Sequence, residues 1–403
     1  MAALSAQCVI AGGGPAGMMC GYLLARQGVE VIVLEKHKDF LRDFRGDTVH
    51  PSTLELFHEL GLLQKFLDRP HQKTRAVSIM VSGRSYRVAD FARLRTQGKY
   101  IAMMPQWDFL DFIADEAHAL PNFNLLMSTR ATSLIEENDR IVGVHARSGS
   151  NILNIRAPLT IAADGRGSVL RDQSGLEVLD VGAPIDVFWM RIPRDADAGD
   201  ESLGRANRHG FLVLINRGTY WQAALPFAKG GADIIREQGI DAFRDRIVKI
   251  APMLESKAEA IKSWDDAKLL TVQVNRLKIW WRKGLLCIGD AAHAMSPLGG
   301  VGINLAVQDA AAAARILGPS LKAGSVSPKN LAKVQKRREW PAKMTQKAQV
   351  LGHQRVLVPI LTNDQPLTAP WPLKMLDKVP MFRGFPARAI GLGLRPEHWP
   401  KGL

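Results

Sequence analysis

Few arrangements limit a chain's fold as tightly as the one that begins at Cys8. The run Cys8-Val9-Ile10-Ala11 enters Gly12-Gly13-Gly14-Pro15-Ala16-Gly17; residues 18–27 then read as a helix, and residues 29–34 as a second apolar run ending in Glu35. Apolar runs this short and unalternating predict buried parallel strands. The glycines have separate tasks: Gly12 permits the tight turn, Gly14 lets the backbone approach a pyrophosphate, and Gly17 lets helix and strand pack closely. The helix that starts at Pro15 and Ala16 offers phosphates the unpaired N–H groups that follow the proline and a positive dipole end. Glu35, eighteen residues after Gly17, is placed to accept hydrogen bonds from both ribose hydroxyls of an adenosine. The unit predicts an α/β chain that binds a dinucleotide. NAD and FAD share it, so the choice between them lies elsewhere.

Composition narrows the class. The 403 residues are 46% hydrophobic with 35 Gly and 22 Pro, enough for a large core or two ordinary ones and unlike a disordered or collagenous chain. Cys8, Cys20 and Cys287 are the three cysteines; they make no disulfide framework, and no CxxC or Cys/His spacing predicts a metal site. The first basic residue is Arg26, beyond the glycine turn, so no signal sequence is expected ahead of the fold. No run approaches the ~18 apolar residues of a membrane span, and a cytoplasmic protein is expected. Of the net charge of +14, +11 falls in residues 320–403, which hold 15 Lys and Arg against 4 Asp and Glu. Lys329, Lys333, Lys336, Arg337, Arg338, Lys343 and Lys347 belong to one predicted helix. A solvated face accounts for such a run; peripheral contact with the inner membrane face is the functional alternative. Nucleic acid is not expected, since no zinc finger, RRM or KH pattern accompanies the charge.

Two later motifs decide between the dinucleotides. Residues 159–163 form an apolar strand ending in Asp164-Gly165-Arg166-Gly167-Ser168. Residues 285–288 form another, ending in Gly289-Asp290-Ala291-Ala292-His293 and leading through Pro297-Leu298-Gly299-Gly300-Val301-Gly302-Ile303-Asn304 into an alanine-rich helix over 305–316. With GGGPAG and Glu35, these make the chain resemble the class A, single-component flavoprotein aromatic hydroxylases, the family of para-hydroxybenzoate hydroxylase. The resemblance spans roughly residues 7–320, with a looser match at Arg395-Pro396-Glu397-His398.

The resemblance implies FAD as cofactor, NADPH or NADH as electron donor, and a Rossmann-like FAD-binding domain of the GR2 type. A mixed or antiparallel sheet domain is inserted in it for the substrate, and a helical C-terminal region follows. The expected segments are 1–75, 100–175 and 282–320 for FAD, 76–99 and 176–281 for substrate, and a basic helical region with a Pro-rich tail over 321–403. By resemblance Asp290 holds the ribityl or pyrophosphate region, Asp164 and Gly165 serve both FAD and NAD(P)H, and Arg45 lies near the FAD phosphates on the route by which flavin moves. The residues themselves point the same way: N–H groups from Gly299 through Gly302 and Ile303 to Asn304, at a helix start, can stabilise negative charge on the reduced flavin. Pro297 fixes the turn beside the ring. Lys36, next to Glu35, and Gln106, after Pro105 at a helix start, complete the cofactor set. Plainer readings stand beside these: a helix cap for Asp290 and Gln106, a surface position for Arg45. His293 packs or bonds near the ring.

Between the second and third motifs, residues 185–192, 210–215, 220–225 and 270–274 alternate or run apolar between turn residues and predict strands of the substrate sheet, with a helix over 241–254. Oxygenation through a C4a-hydroperoxyflavin needs an enclosed apolar pocket; Trp189, Phe211, Val213, Tyr220 and Trp221 are candidate walls, with ordinary sheet core as the alternative. Tyr220 and His50 are the candidate catalytic side chains beside Pro297, His50 as a base or polar pocket group. The para-hydroxybenzoate enzyme uses paired tyrosines, whereas this chain has only Tyr22, Tyr86, Tyr100 and Tyr220. That substrate is therefore not carried over, and a larger aromatic or quinone-like compound is expected, with O2 as co-substrate. Trp189-Met190-Arg191-Ile192-Pro193 lacks the second Trp of the halogenase WxWxIP signature. A flavin reductase or dehydrogenase acting on a ring or polyprenyl substrate and a non-enzymatic flavin-binding partner are the alternatives. The protein is expected as monomer or homodimer.

Overall fold

The computed structural model describes residues 2–41, 48–196, 203–362, 365–400 and 402. Its centre is a six-stranded sheet in the order 281–282, 285–287, 159–162, 8–11, 31–34, 123–126. All neighbours are parallel except the first pair, a short antiparallel hairpin. The strands Cys8–Ala11, Val31–Leu34, Leu159–Ala162 and Leu285–Cys287 are buried at every position, which is why they show no polar alternation. One layer over the sheet pairs the helices Pro15–Arg26 and Gly302–Lys322, which pack on each other. A second, four-stranded sheet (Ala2–Ser5, Thr129–Glu137, Arg140–Ser148, Asn151–Arg156) sends Ile141, Val144, Ala146 and Ile155 into the same core.

Register explains why the site forms where it does. Ala11 lies opposite both Leu34 and Ala162, and Ala162 opposite Cys287. The four parallel strands therefore end in line, so Gly12, Glu35, Asp164 and Gly289-Asp290 emerge along one edge, the usual place for a ligand of an open parallel sheet.

Segments 76–90 and 185–270, far apart in sequence, share a seven-stranded mixed sheet. Its order is Ala267–Leu270, Ile185–Pro193, Tyr220–Ala228, Gly210–Asn216, Leu203–Asn207, Ala76–Val81, Arg84–Asp90. The two segments join through the one parallel pairing, Leu203–Asn207 with Ala76–Val81. Alternation gives the sheet two apolar faces. Phe188, Met190, Ile192, Trp221, Ala223 and Leu225 pack outward against Phe243 and Ile247 of the helix Gly239–Ile250. Ile185, Val187, Trp189, Phe211 and Ala224 face the other way. The predicted strand over 270–274 stops at Leu270, although Val272 and Val274 are buried.

The long basic helix runs from Pro328 to Gly352 behind a capping box of Ser327 and Asn330. A wholly solvated basic face is not what forms. Arg338 is 1% exposed, and Arg337 and Arg338 both reach the buried Glu397. Two shorter helices, Trp371–Lys378 and Gly384–Gly391, lie on the strand Arg84–Asp90. Among the described residues no helix is long and apolar enough to cross a membrane, and no group of three or more His, Cys, Asp or Glu is placed to hold a metal ion.

Candidate cofactor and substrate site

The glycine turn separates residues that the fold demands from one that it does not. Gly12 has φ +107°, and a Cβ there would lie 2.3 Å from the Ala163 carbonyl oxygen; at Gly17 it would lie 1.9 Å from the Gly12 carbonyl oxygen. At Gly14 no protein atom would come within 4 Å. Glycine at that position keeps a cradle open toward a ligand. No side chain caps the helix that starts at Pro15; proline has no N–H, so the groups left available are those of Ala16 and Gly17. The Glu35 carboxylate, 9% exposed, accepts at 3.0 Å from the Gly13 N–H and at 3.0 Å from the His37 N–H. Lys36 is exposed and helps line a cleft of about 350 Å³ with Ser128, Arg130, Thr132 and Arg147.

The other two turns close on this one. Asp164 follows Ala163, its Cα 2.9 Å from where a Gly12 Cβ would stand. Its Oδ2 accepts from the Leu170 N–H at 3.5 Å, its Oδ1 is buried without a partner, and burial pushes its carboxyl above the usual range. Gly165 has φ +88°. At Gly289 a Cβ would stand 3.0 Å from the Ala16 Cβ, so the Gly289-Asp290 turn rests on the start of the first helix. Asp290 pairs with Arg166 (Nε–Oδ2 3.1 Å), both about one third exposed. An open cradle at Gly14, an acid beside it, an unpartnered Asp164 oxygen and a partly exposed ion pair fit the adenosine diphosphate part of FAD.

The turn Pro297–Val301 sets the far end. Gly299 and Gly300 have φ +82° and +63°, and at Gly302, the first residue of its helix, a Cβ would meet nothing within 4 Å. Thr48 donates its hydroxyl to the Gly300 carbonyl at 2.7 Å. His50 spans two segments: Nε2 lies 3.0 Å from the same carbonyl and Nδ1 2.8 Å from the Ile390 carbonyl. It is fully buried, and burial holds its imidazole below the ordinary range. Both nitrogens of His50 thus lie against backbone carbonyls, and a neutral imidazole donates to only one of them. Ile303 is buried; Asn304 turns its side chain away from the turn, its Oδ1 accepting from the Ser52 and Thr53 hydroxyls. Gln106 opens the helix Gln106–His118 behind Pro105 and is half-buried. Arg45 lies outside the described residues.

Sequence reasoning missed a buried charge network under this turn. Asp309 accepts at Oδ2 from the Gly289 N–H (3.1 Å), with His293 Nε2 at 2.6 Å from the same oxygen, and at Oδ1 from Arg338 Nε (3.0 Å). Burial works to raise the Asp309 carboxyl, yet His293 first and Arg338 next hold it below the usual range. Glu397 takes Arg315 at 2.9 Å, Arg337 at 2.5 Å and Arg338 at 3.4 Å. The tail and the Asp290 turn are thus one unit.

Above the turn, the inward face of the seven-stranded sheet (Val187, Trp189, Phe211, Val213, Ala224) meets Leu298, Val350 and Leu357. Trp189 Nε1 is buried there without a partner. One expected wall is elsewhere. Trp221 points to the outer face and packs with the Phe243 cluster. Tyr220 lies on the same face as Ala224 by alternation, four cross-strand pairs along at the start of its strand, and Arg191 stacks over its ring at 5.1 Å. A histidine that sequence reasoning passed over is nearer: fully buried His353 lies on the helix face of Val350 and Leu357, with Nε2 2.9 Å from the Ser296 hydroxyl and Nδ1 without a partner. It opens a π-helical turn, His353–Leu357, and nothing local to its sequence marks it.

Residues 5–348 match the family described as "FAD binding domain". The chain belongs to that family, and it is an FAD-dependent monooxygenase. It is 30% identical over 356 residues to the 6-methylpretetramide 4-monooxygenase of Streptomyces rimosus, covering 87% of this chain and 84% of that protein. It is 27% identical over 310 residues to the rifampicin monooxygenase of Streptomyces venezuelae, over 75% of this chain and 62% of that one. In fold it is similar to PqsL of Pseudomonas aeruginosa, a probable FAD-dependent monooxygenase (TM-score 0.74, 21% identity, 90% of this chain and 98% of the other).

Proposed function

We propose that the protein hydroxylates an aromatic or quinone-like small molecule with NADPH or NADH and O2. One observation carries the reading: an apolar sheet face with Trp189, Phe211 and Val213 stands over Leu298 in the turn that joins the Asp290 motif to its helix. The relative named for 6-methylpretetramide supports a ring substrate. Bound FAD supplies the redox chemistry, taking electrons from NAD(P)H and passing them to oxygen. The chain's own residues do the rest. Glu35 takes the ribose, the open turn at Gly14 and the helix start take the pyrophosphate, and Asp290 with Arg166 holds the middle of the cofactor. Lys36, Gln106, Arg45, Asp164 and Gly165 are assigned to the same cofactor surface. N–H groups between Gly299 and Asn304 face developing negative charge at a helix N-terminus. Pro297 positions that turn, and the sheet face excludes water from the reacting atoms. Trp189 and His353 carry unpartnered nitrogens in this region and are assigned polar contacts of the substrate, while His50 and Tyr220 stay the candidate catalytic side chains beside Pro297.

In this reading segments 1–75, 100–175 and 282–320 form the cofactor domain and 76–99 with 176–281 the substrate domain. The basic C-terminal region is assigned a peripheral membrane contact. The purified protein should be yellow and should oxidise NAD(P)H slowly, faster with an accepted aromatic compound, and the product should carry one atom from 18O2. A substrate that speeds oxidation while its product gains no 18O would replace the hydroxylase with a reductase. Asp290→Ala should lower FAD retention at least about tenfold, roughly 1.4 kcal/mol, and unchanged retention would remove the role given to Asp290.

A further inference from the structure

The C-terminal region carries a surface that neither the cofactor site nor the sheets account for. The helices Trp371–Lys378 and Gly384–Gly391, joined through Pro380–Arg383, are fixed from beneath. Leu373 packs with Val81 and Tyr86, and Ala387 and Ile390 pack with Ala89, Phe91 and Leu94. On the outer side Trp371 is 73%, Phe385 72% and Met381 68% exposed, with Met375 and Val379 exposed beside them. A packed scaffold that holds large apolar side chains in water marks an interaction surface.

Charge identifies what it meets. Lys374, Lys378 and Arg388 are exposed among these residues. The only acid between 371 and 391 is Asp377, which is turned to Arg84 at 3.5 Å and Arg383 at 3.7 Å. Lysine is depleted in protein interfaces, whereas Trp, Phe and Met set among cations are what an interfacial helix offers a bilayer. We propose that this surface docks the protein on an anionic lipid bilayer, Trp371, Met381 and Phe385 entering the interface while Lys374, Lys378 and Arg388 meet lipid phosphates. The contact thus falls on the tail helices, whereas the long basic helix uses Arg337 and Arg338 internally on Glu397.

The test is co-sedimentation of the FAD-loaded full chain with vesicles of phosphatidylcholine alone and with about one third phosphatidylglycerol. The parent should bind the anionic vesicles, and less as salt is raised. Trp371→Ser with Phe385→Ser should cut the bound fraction about tenfold or more, with flavin absorbance and near-UV dichroism unchanged. Lys374→Gln with Lys378→Gln should weaken binding about fivefold per cation at low salt and little at high salt. No binding by the parent at low salt overturns the proposal, as does equal binding by parent and the Trp371/Phe385 variant. Sedimentation velocity showing a dimer that this variant dissociates, with no vesicle binding, would assign the surface to a second copy. None of these readouts requires turnover, so failure here leaves the oxygenase reading standing.

Discussion

Gly14 and Gly17 belong to one six-residue turn and answer to different partners. Gly17 is required by the chain, since its Cβ would overlap the Gly12 carbonyl, whereas no protein atom demands glycine at 14 and the proposed cofactor contact is what does. Gly17→Ala should cost about 1–3 kcal/mol of stability. Gly14→Ala, at an extended position, should leave stability within about 0.5 kcal/mol while weakening FAD binding at least about tenfold. Urea denaturation and flavin titration of the apoprotein separate the two effects, and equal losses in both would contradict the assignment. Gly12 and Gly17 could be read from sequence because a turn's geometry is local. His50, Asn304 and His353 could not, because their partners come from segments 57 to 340 residues away. His50 and His353 add a pH dependence. Burial lowers both imidazoles, so each stays neutral in the folded chain where the unfolded chain takes a proton, near pH 6.5. The unfolded state then binds more protons, and stability falls as pH drops below about 6.5. Urea midpoints at about pH 7.5 and 5.5 should differ in that direction, and a flat profile would count against it.

The helix Gly302–Lys322 shows what tertiary packing adds to propensity. Its alanine-rich middle is legible in sequence, but Pro319 argues for an end one turn earlier than is found. Leu317 and Leu321, at most 1% exposed, carry the helix through. The same helix supplies Asp309, and with it the acceptor for the Gly289 N–H. Arg338→Met would leave Asp309 with less compensation for its charge, and a loss of about 3–5 kcal/mol is expected by chemical denaturation. FAD retention should fall as well, because the Asp290 turn loses its support; full retention in the folded variant would uncouple the two. The seven-stranded sheet gives a contrasting case. Alternation says that neighbouring residues face opposite ways, but it does not say which face is covered from outside. The helix Gly239–Ile250 decides that by covering the face that holds Trp221, which leaves Trp189 inside.

Taken whole, the molecule is assembled from distant pieces. The central sheet draws strands from residues 8 to 287, and the seven-stranded sheet joins 76–90 to 185–270. Motif order made the parallel sheet and its ligand edge readable, because each motif ends a strand. The tail was not readable, because its anchor is one glutamate under three guanidinium groups drawn from two helices. A chain stopped after residue 394 should therefore lose stability and FAD together, beyond any local loss at the tail, as melting and flavin release would show. The consequence reaches back to synthesis. Gly12 and Glu35 leave the ribosome early, yet the turn they share with Asp290 is braced through Asp309 and Arg338 by Glu397. A nascent chain can build its glycine turn within the first forty residues or so and must wait for several hundred more before that turn can hold a cofactor firmly. The proposed cofactor placement therefore predicts that flavin loads only once the Glu397 contact has formed, and that ribosome-held chains short of it retain no FAD.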